Sequence, residues 1–233
     1  QGEAGVVAAD PEYLQLARDL TRASGTLMVI DEVQTGVGRT GTWFAFQQSG
    51  IVPDAITVAK GLAGGVPIGA LVTFGPEASG LLTAGQHGST FGGNPLAAAA
   101  GLAVLDTIEK DDLLAHATTV GNHLANSVAA LGHPLIAGVR GTGLLRAIVL
   151  SADVSVVVAD RALAAGFIIN ASRTHALRRR PPLAVPPGQT ITSRAALPPP
   201  PARLAPPRGP HDHPRRPPPA PSPLDVPPAP PPR

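Results

Sequence analysis

The chain has 233 residues, 28 of them proline, no cysteine, and a formal net charge of +2. Disulfides, thiolate nucleophiles and cysteine-based zinc sites are therefore excluded, and no apolar run approaches the length needed to cross a bilayer. Residues 1–170 hold 8 Lys+Arg against 14 Asp+Glu, whereas residues 171–233 hold 10 Arg against 2 Asp, so the basic balance belongs to the C-terminal stretch and gives no argument for nucleic-acid binding by the rest. Of the prolines, 22 fall between Pro181 and Arg233, where apolar periodicity disappears and a packed domain is not expected. The N-terminus lacks the basic-then-apolar order of a signal peptide, which makes the cytoplasm the expected compartment. The chain opens on Gln1 and its one methionine, Met28, lies inside an apolar run, so residue 1 is not expected to be a translation start.

Asp10-Pro11-Glu12 predicts a helix start with Asp10 as N-cap, followed by Leu14, Ala17 and Leu20 at helical spacing and ended by Gly25. Leu27-Met28-Val29-Ile30 is a short unbroken apolar run that suits a strand buried on both faces, with Asp31 at its carboxyl end. A glycine-rich loop spans Gly36 to Gly41, and Asp54 to Ala59 predicts a second strand that delivers Lys60. Helix-then-strand alternation with such connections implies an α/β sheet, whose ligands gather beyond the carboxyl ends of the strands. Asn94 and Pro95 predict the cap and first position of a helix through Ile108 that is apolar nearly all round and hence buried. Val120, Leu124, Val128 and Leu131 predict a helix with one covered face. A strand over Leu144–Leu150, a weak helix over Asp153–Ala165 and a strand over Phe167–Ile169 suggest a smaller α+β domain.

A lysine after a strand is ordinarily a solvated charge. Residues 1–170 contain only two lysines, and Lys60 stands between an apolar run and Gly61-Leu62-Ala63-Gly64-Gly65, which lets backbone approach a ligand closely. An amine held there can lose its proton through desolvation, as Schiff-base chemistry requires. Asp31 has two open readings: a carboxylate capping the next turn, or a partner that keeps a pyridine nitrogen protonated. Glu32 beside it reads as solvent-facing. Ser89 and Thr90, in a glycine-rich loop ahead of a helix, can offer hydroxyl and N–H donors to a phosphate. No residue is assigned to a metal.

Three spaced stretches then stand in order: Asp31-Glu32-Val33-Gln34-Thr35-Gly36-Val37-Gly38-Arg39-Thr40-Gly41; Pro53-Asp54 with Ala59-Lys60-Gly61; and His87-Gly88-Ser89-Thr90-Phe91-Gly92-Gly93-Asn94-Pro95. Together they resemble the class III pyridoxal-phosphate-dependent aminotransferases, and among these the members acting on N-acetylornithine, with those acting on ornithine, succinylornithine or 4-aminobutyrate as alternatives. The resemblance implies a partial fold-type-I large domain over residues 1–108 including a connecting helix, part of a small C-terminal α+β domain over 109–170, and a disordered Pro/Arg-rich tail over 171–233. It implies pyridoxal 5'-phosphate as cofactor, an amino donor and a 2-oxo acid as substrates, and a homodimer with active sites at its interface. By the same resemblance Lys60 is the Schiff-base lysine and proton shuttle, Asp31 pairs with the pyridinium nitrogen, Val33 packs on the ring and Gln34 bonds its phenolic oxygen. Ser89 and Thr90 would reach the phosphate of the neighbouring subunit's cofactor. Gln1-Gly2-Glu3 resembles the motif whose glutamate lies at the substrate end of the site and pairs with an arginine near the C-terminus.

The family's N-terminal part has no counterpart in this sequence, and the chain by itself is expected to be inactive. Leu177-Arg178-Arg179-Arg180-Pro181-Pro182-Leu183 keeps a trace of the family's C-terminal Arg-Leu-x-Pro-Pro-Leu segment, with Arg178 as the candidate partner of Glu3. Proline, arginine, alanine and glycine share GC-rich codons, so the tail's bias is what a GC-rich gene read out of frame gives, with the break expected near Ala171. A genuine proline-rich tail in polyproline II form, carrying Arg beside PxxP sequences for SH3-like partners, is the other reading.

Overall fold

Asp10 and Pro11 start the first helix as their chemistry dictates. In the computed structural model, which describes residues 1–191, α1 runs Pro11–Ser24, the Asp10 carboxylate accepts the Glu12 N–H at 2.9 Å, and Gly25 closes the helix in a left-handed conformation. Next come β1 (Val29–Asp31), β2 (Ala55–Val58), β3 (Ala70–Thr73) and the short α2 (Gly75–Ser79). α3 (Pro95–Lys110) and α4 (Leu113–Ala129) lead to β4 (Ile136–Thr142) and β5 (Leu145–Leu150), then α5 (Ser155–Ala164), β6 (Asn170–Arg173), β7 (Ala176–Arg179) and α6 (Pro187–Ile191).

The strands form two sheets. The first has the order β1-β2-β3, with β1 parallel and β3 antiparallel to β2; the second has the order β4-β5-β7-β6 and is antiparallel throughout. Asp31 is the register partner of Thr57, so the carboxyl ends of β1 and β2 lie side by side. Ile56 at the centre of β2 is fully buried among Phe46, Ile51 and Phe74. Arg18 on α1 is buried too and lays two guanidinium nitrogens on Asp54 at 2.6 and 2.9 Å, while Asp54 also accepts the Met28 N–H.

α4 behaves as its spacing predicts, burying Leu113, Ala117, Val120, Leu124 and Val128 along one face. Leu124 and Val128 meet Ile148, Leu150, Val158 and Leu177 in the core of the second sheet. The glycine-rich loop docks on the β4–β5 turn through the Leu144 N–H to the Arg39 carbonyl at 3.0 Å. A Cβ on Gly121 of α4 would lie 2.0 Å from the Gly143 carbonyl oxygen, so helix and turn meet backbone to backbone.

Several sequence expectations are corrected. The apolar run before Asp31 is not buried on both faces: Met28 and Ile30 pack against Phe46, Ile51 and Ile56, but Leu27 and Val29, on the opposite face, are 53% and 55% exposed. α3 keeps its Asn94 cap but buries only Ala97, Gly101 and Ile108, leaving Leu96 and Leu102 exposed. The strand expected at Phe167–Ile169 falls instead at Asn170–Arg173, since Phe167 is tied by its N–H to the Ala162 carbonyl at the end of α5. No tail begins at residue 171. β7 lies inside the second sheet between β5 and β6, Leu177 is fully buried, and Arg39 donates to the Pro181 carbonyl. Ile108 and Leu113 share one apolar cluster on the two sides of the boundary expected at residue 108. Residues 1–7, assigned to the first domain, seat Val6 on Leu145 and Ala147 of the second sheet. The stretch from residue 192, including most of the Pro/Arg-rich expectation, lies outside the described residues.

Candidate active site

A cavity of about 480 Å³ is lined by Gln1, Gly2, Glu3, Ala4, Asp31, Gln34, Thr35 and Arg173. Asp31 enters it from the last position of β1. Its Oδ1 accepts the Val33 N–H at 2.9 Å and lies 3.4 Å from the Thr57 hydroxyl, while Oδ2 takes no hydrogen bond among the described residues. The capping role is therefore real, and it leaves one carboxylate oxygen for a further partner. Val33 is half-buried beside it.

Glu32 corrects the sequence reading, which placed it in solvent. Its side chain is 1% exposed, with Oε1 accepting the Phe46 N–H at 2.9 Å and Oε2 accepting from the Thr35 hydroxyl. The residue's own N–H continues the ladder to the Thr57 carbonyl, and its carbonyl accepts the Gly36 N–H at 2.8 Å. Glu32 is thus the inward peg of the turn whose other side presents Asp31, Val33 and Gln34. Nothing local in the sequence marks it, because the Phe46 N–H comes from 14 residues away.

Lys60 begins the 3-10 turn Lys60–Ala63 directly after β2, at φ +50°, a left-handed conformation that costs a non-glycine residue about 1 kcal/mol or more. Its charge acts on Glu3. The Glu3 carboxylate takes the Arg178 guanidinium at 2.6 Å and the Gln34 amide N–H at 3.0 Å, both on Oε1, and Arg178 also reaches the Gln34 amide oxygen at 3.3 Å. The Arg178 bond first, then the Gln34 bond, hold Glu3 below the usual carboxylate range, and the Arg178 and Lys60 charges add to this against some desolvation. Gly2 permits the arrangement, since a Cβ there would meet the Gln34 amide oxygen at 2.3 Å. Arg178 is the residue for which the sequence offered only a trace.

Ser89 and Thr90 lie in an exposed segment ahead of α3, where the Ser89 carbonyl accepts the Gly92 N–H, and neither lines the cavity. The structure thus brings Glu3, Asp31 and Gln34 to one cavity, with Arg178 bonded to two of them, and leaves Ser89 and Thr90 outside it. Among the described residues no group of three or more His, Cys, Asp or Glu side chains can hold a metal ion, and no helix is long and apolar enough to cross a membrane.

A family model of class-III aminotransferases matches residues 1–191, past the point where the sequence reading placed a break in frame. The acetylornithine aminotransferase of Mycolicibacterium smegmatis is 51% identical over 197 residues, 84% of this chain and 50% of that protein. That of Streptomyces coelicolor is 53% identical over 184 residues, covering 78% and 46%. The chain spans about half the length of the curated relatives it matches. Among solved structures, an acetylornithine aminotransferase from Elizabethkingia anophelis superposes with a TM-score of 0.75 at 32% identity, over 82% of this chain and 49% of that one. An ornithine aminotransferase from Toxoplasma gondii does so at 0.76 and 32%, over 84% and 48%. The fold is accordingly part of the large domain of the fold-type-I pyridoxal-phosphate enzymes. The chain belongs to the class-III aminotransferases.

Proposed function

We propose that this chain carries the lysine and the ring-nitrogen partner of a pyridoxal-phosphate-dependent transamination. In the proposed reaction N-acetylornithine and 2-oxoglutarate give N-acetylglutamate 5-semialdehyde and glutamate, within arginine synthesis. The observation that supports it best is the placement of Asp31 and Lys60 at the carboxyl ends of two paired parallel strands, with Asp31 lining a cavity together with Glu3 and Gln34 and the Lys60 charge acting on Glu3. The donor set fits the group: a carboxylate with a free oxygen for a ring N–H, an amine one strand away, and an amide close by.

When bound, pyridoxal phosphate supplies a protonated ring that draws electron density from the substrate's Cα. Asp31 Oδ2 would hold the proton on its ring nitrogen, Val33 would pack against the ring, and the Gln34 amide would donate to the phenolic oxygen. Lys60 Nζ is both the point of attachment and the base that moves a proton from the substrate's Cα. Ser89 and Thr90 offer hydroxyls to the phosphate held by the other subunit of a homodimer, which is consistent with their exposure. Arg178, with a 12% exposed side chain and Glu3 as its carboxylate partner, is a cation that an incoming substrate carboxylate can take over. The chain by itself is proposed to lack turnover, and the cytoplasm is its proposed compartment.

A second reading, an ornithine aminotransferase or another ω-amino-acid enzyme, is favoured by the equally good superposition on the ornithine enzyme. The test of the main reading uses the fact that the chain has only two lysines, Lys60 and Lys110. Pyridoxal phosphate is added, the adduct is reduced with borohydride, and digested peptides are weighed. Label at Lys60 that Lys60→Ala removes is expected; label at Lys110 alone overturns the assignment. The donor is then decided by comparing acetylornithine with ornithine in the protein completed to its relatives' length.

A further inference from the structure

Glu3 does not reach Arg178 by chance of an exposed side chain; its whole turn is seated on one row of the second sheet. Arg140 on β4 is the register partner of Ala147 on β5, and Ala147 is the register partner of Arg178 on β7. The three therefore stand in line across adjacent strands, spanning roughly 10 Å at the usual strand spacing. Three residues of the turn answer them. The Gly5 carbonyl accepts from Arg140 Nε at 2.7 Å, the Val6 side chain packs on Ala147, and the Glu3 carboxylate takes Arg178.

The turn needs such seating. Gly5 lies at φ +91° and Val6 at φ +59°, and a β-branched residue seldom adopts a left-handed conformation unless its surroundings enforce it. Val6 is 5% exposed and Ala147 fully buried, so the middle of the row is closed. Arg140 makes no salt bridge among the described residues, and its donor is given to a neutral backbone carbonyl. A guanidinium used in this way orients backbone and adds little to charge balance. The cations that act on Glu3 are Arg178 and Lys60, and Glu3 in turn acts on Arg180.

We propose that Arg140 is a positioning residue for the Glu3–Arg178 pair, holding the Glu3 turn against the sheet and so setting how readily Arg178 is released to a substrate carboxylate. The consequence for substrate choice rests on the function proposed above. The seating itself does not, and it is tested without cofactor.

The experiment is carboxylate footprinting of the whole chain with a carbodiimide and an amine, read by mass spectrometry. The chain has five glutamates. Exposed Glu109 sets full reactivity, and Glu32, 1% exposed, reports the fold in the same sample. In Arg140→Met, Glu3 labelling is expected to rise by about threefold, the scale of an exposed ion pair, while Glu32 stays protected. Unchanged Glu3 labelling with Glu32 protected overturns the proposal. A joint rise of Glu3 and Glu32 in both Arg140→Met and Arg140→Lys also overturns it, because Arg140 is then only part of the scaffold. Where Arg140→Met alone unfolds, Arg140→Lys decides by the same two peptides, since it keeps the charge and loses the Nε donor. Failure to label Lys60 with pyridoxal phosphate bears on the function and leaves this result standing.

Discussion

Arg18 and Asp54 join α1 to the start of β2 through two parallel hydrogen bonds, at 2.6 and 2.9 Å, with the Arg18 side chain only 9% exposed and that of Asp54 21%. Asp54 also accepts the Met28 N–H, so one carboxylate ties together a helix and two strands. Asp54→Asn leaves Arg18 without its counter-charge, and we expect a loss of roughly 2 kcal/mol, between the ~1 kcal/mol of an exposed pair and the ~3–5 kcal/mol of a buried one. The Arg18 bond, followed by the Met28 N–H, holds the Asp54 carboxyl below its usual range. A depressed carboxyl stabilises the fold above the unfolded-state value of about 3.9 and loses that contribution as pH falls through the lower folded-state value. Melting curves from pH 6 down to pH 3 should show an acid-dependent loss in the natural chain that is smaller in Asp54→Asn.

Glu32 is expected to be harder to replace than its exposed neighbour Asp31. Glu32→Ala removes the acceptor for the buried Phe46 N–H and the partner of the Thr35 hydroxyl, at a cost of about 1–3 kcal/mol for each buried group left unsatisfied. Glu32→Gln keeps an acceptor for Phe46 and should recover much of that loss. The single tryptophan, Trp43, lies three residues from Phe46 and reports the local opening by fluorescence. Equal stability of Glu32→Ala and the natural chain would show that the turn is held by backbone bonds alone.

The sequence announced local features and hid cross-strand ones. Asp10 and Asn94 cap their helices because a cap is decided within three residues, and the strand-end positions of Asp31 and Lys60 were legible because strand ends need only an apolar run and its stop. Glu32 was misread because its buried partners lie on a later segment. The row of Arg140, Ala147 and Arg178 depends on the register of the β4–β5 hairpin against β7, which lies beyond α5 in sequence and whose pairing no periodicity encodes. β7 was concealed by composition: Ala176-Leu177-Arg178-Arg179 buries Ala176 and Leu177 yet is followed by the arginines and prolines that made the whole stretch look unpacked. Burial of β1 was over-read, since an apolar run does not reveal whether other elements pack on both of its faces.

Asp31→Asn separates the two roles of that carboxylate. The Val33 N–H can still find the side-chain oxygen of an asparagine, so the turn should persist and Lys60 should still take up the borohydride-fixed label. Asparagine carries no charge to stabilise a ring N–H cation. In the protein completed to its relatives' length, single-turnover amino transfer should fall by roughly 10²–10³, the scale of losing one preorganised electrostatic partner. A near-normal rate would leave Asp31 as a cap and nothing more.

The exposed side of the first sheet gives the last expectation. Register partners share a face, so Val29, Ala55 and Thr73 stand with Asp31, Thr57 and Leu71 on one side, and Ile30, Ile56 and Val72 on the other. The second side is the better covered, with Ile56 fully buried although Val72 is 37% exposed, whereas on the first side Ala55 is buried but Val29 is 55% and Leu71 49% exposed. Leaving apolar area in water costs roughly 25 cal/mol per Å² relative to burying it, so this face should attract a hydrophobic dye under conditions where α4 and the second sheet remain folded. Val29→Thr with Leu71→Thr keeps β-branched or strand-compatible side chains and removes apolar surface. The double variant should bind markedly less dye while melting within about 0.5 kcal/mol of the natural chain, as substitutions away from packed positions usually do. Dye binding that does not change would place the exposed apolar surface elsewhere, with Leu16 and Leu20 on α1 the next to replace.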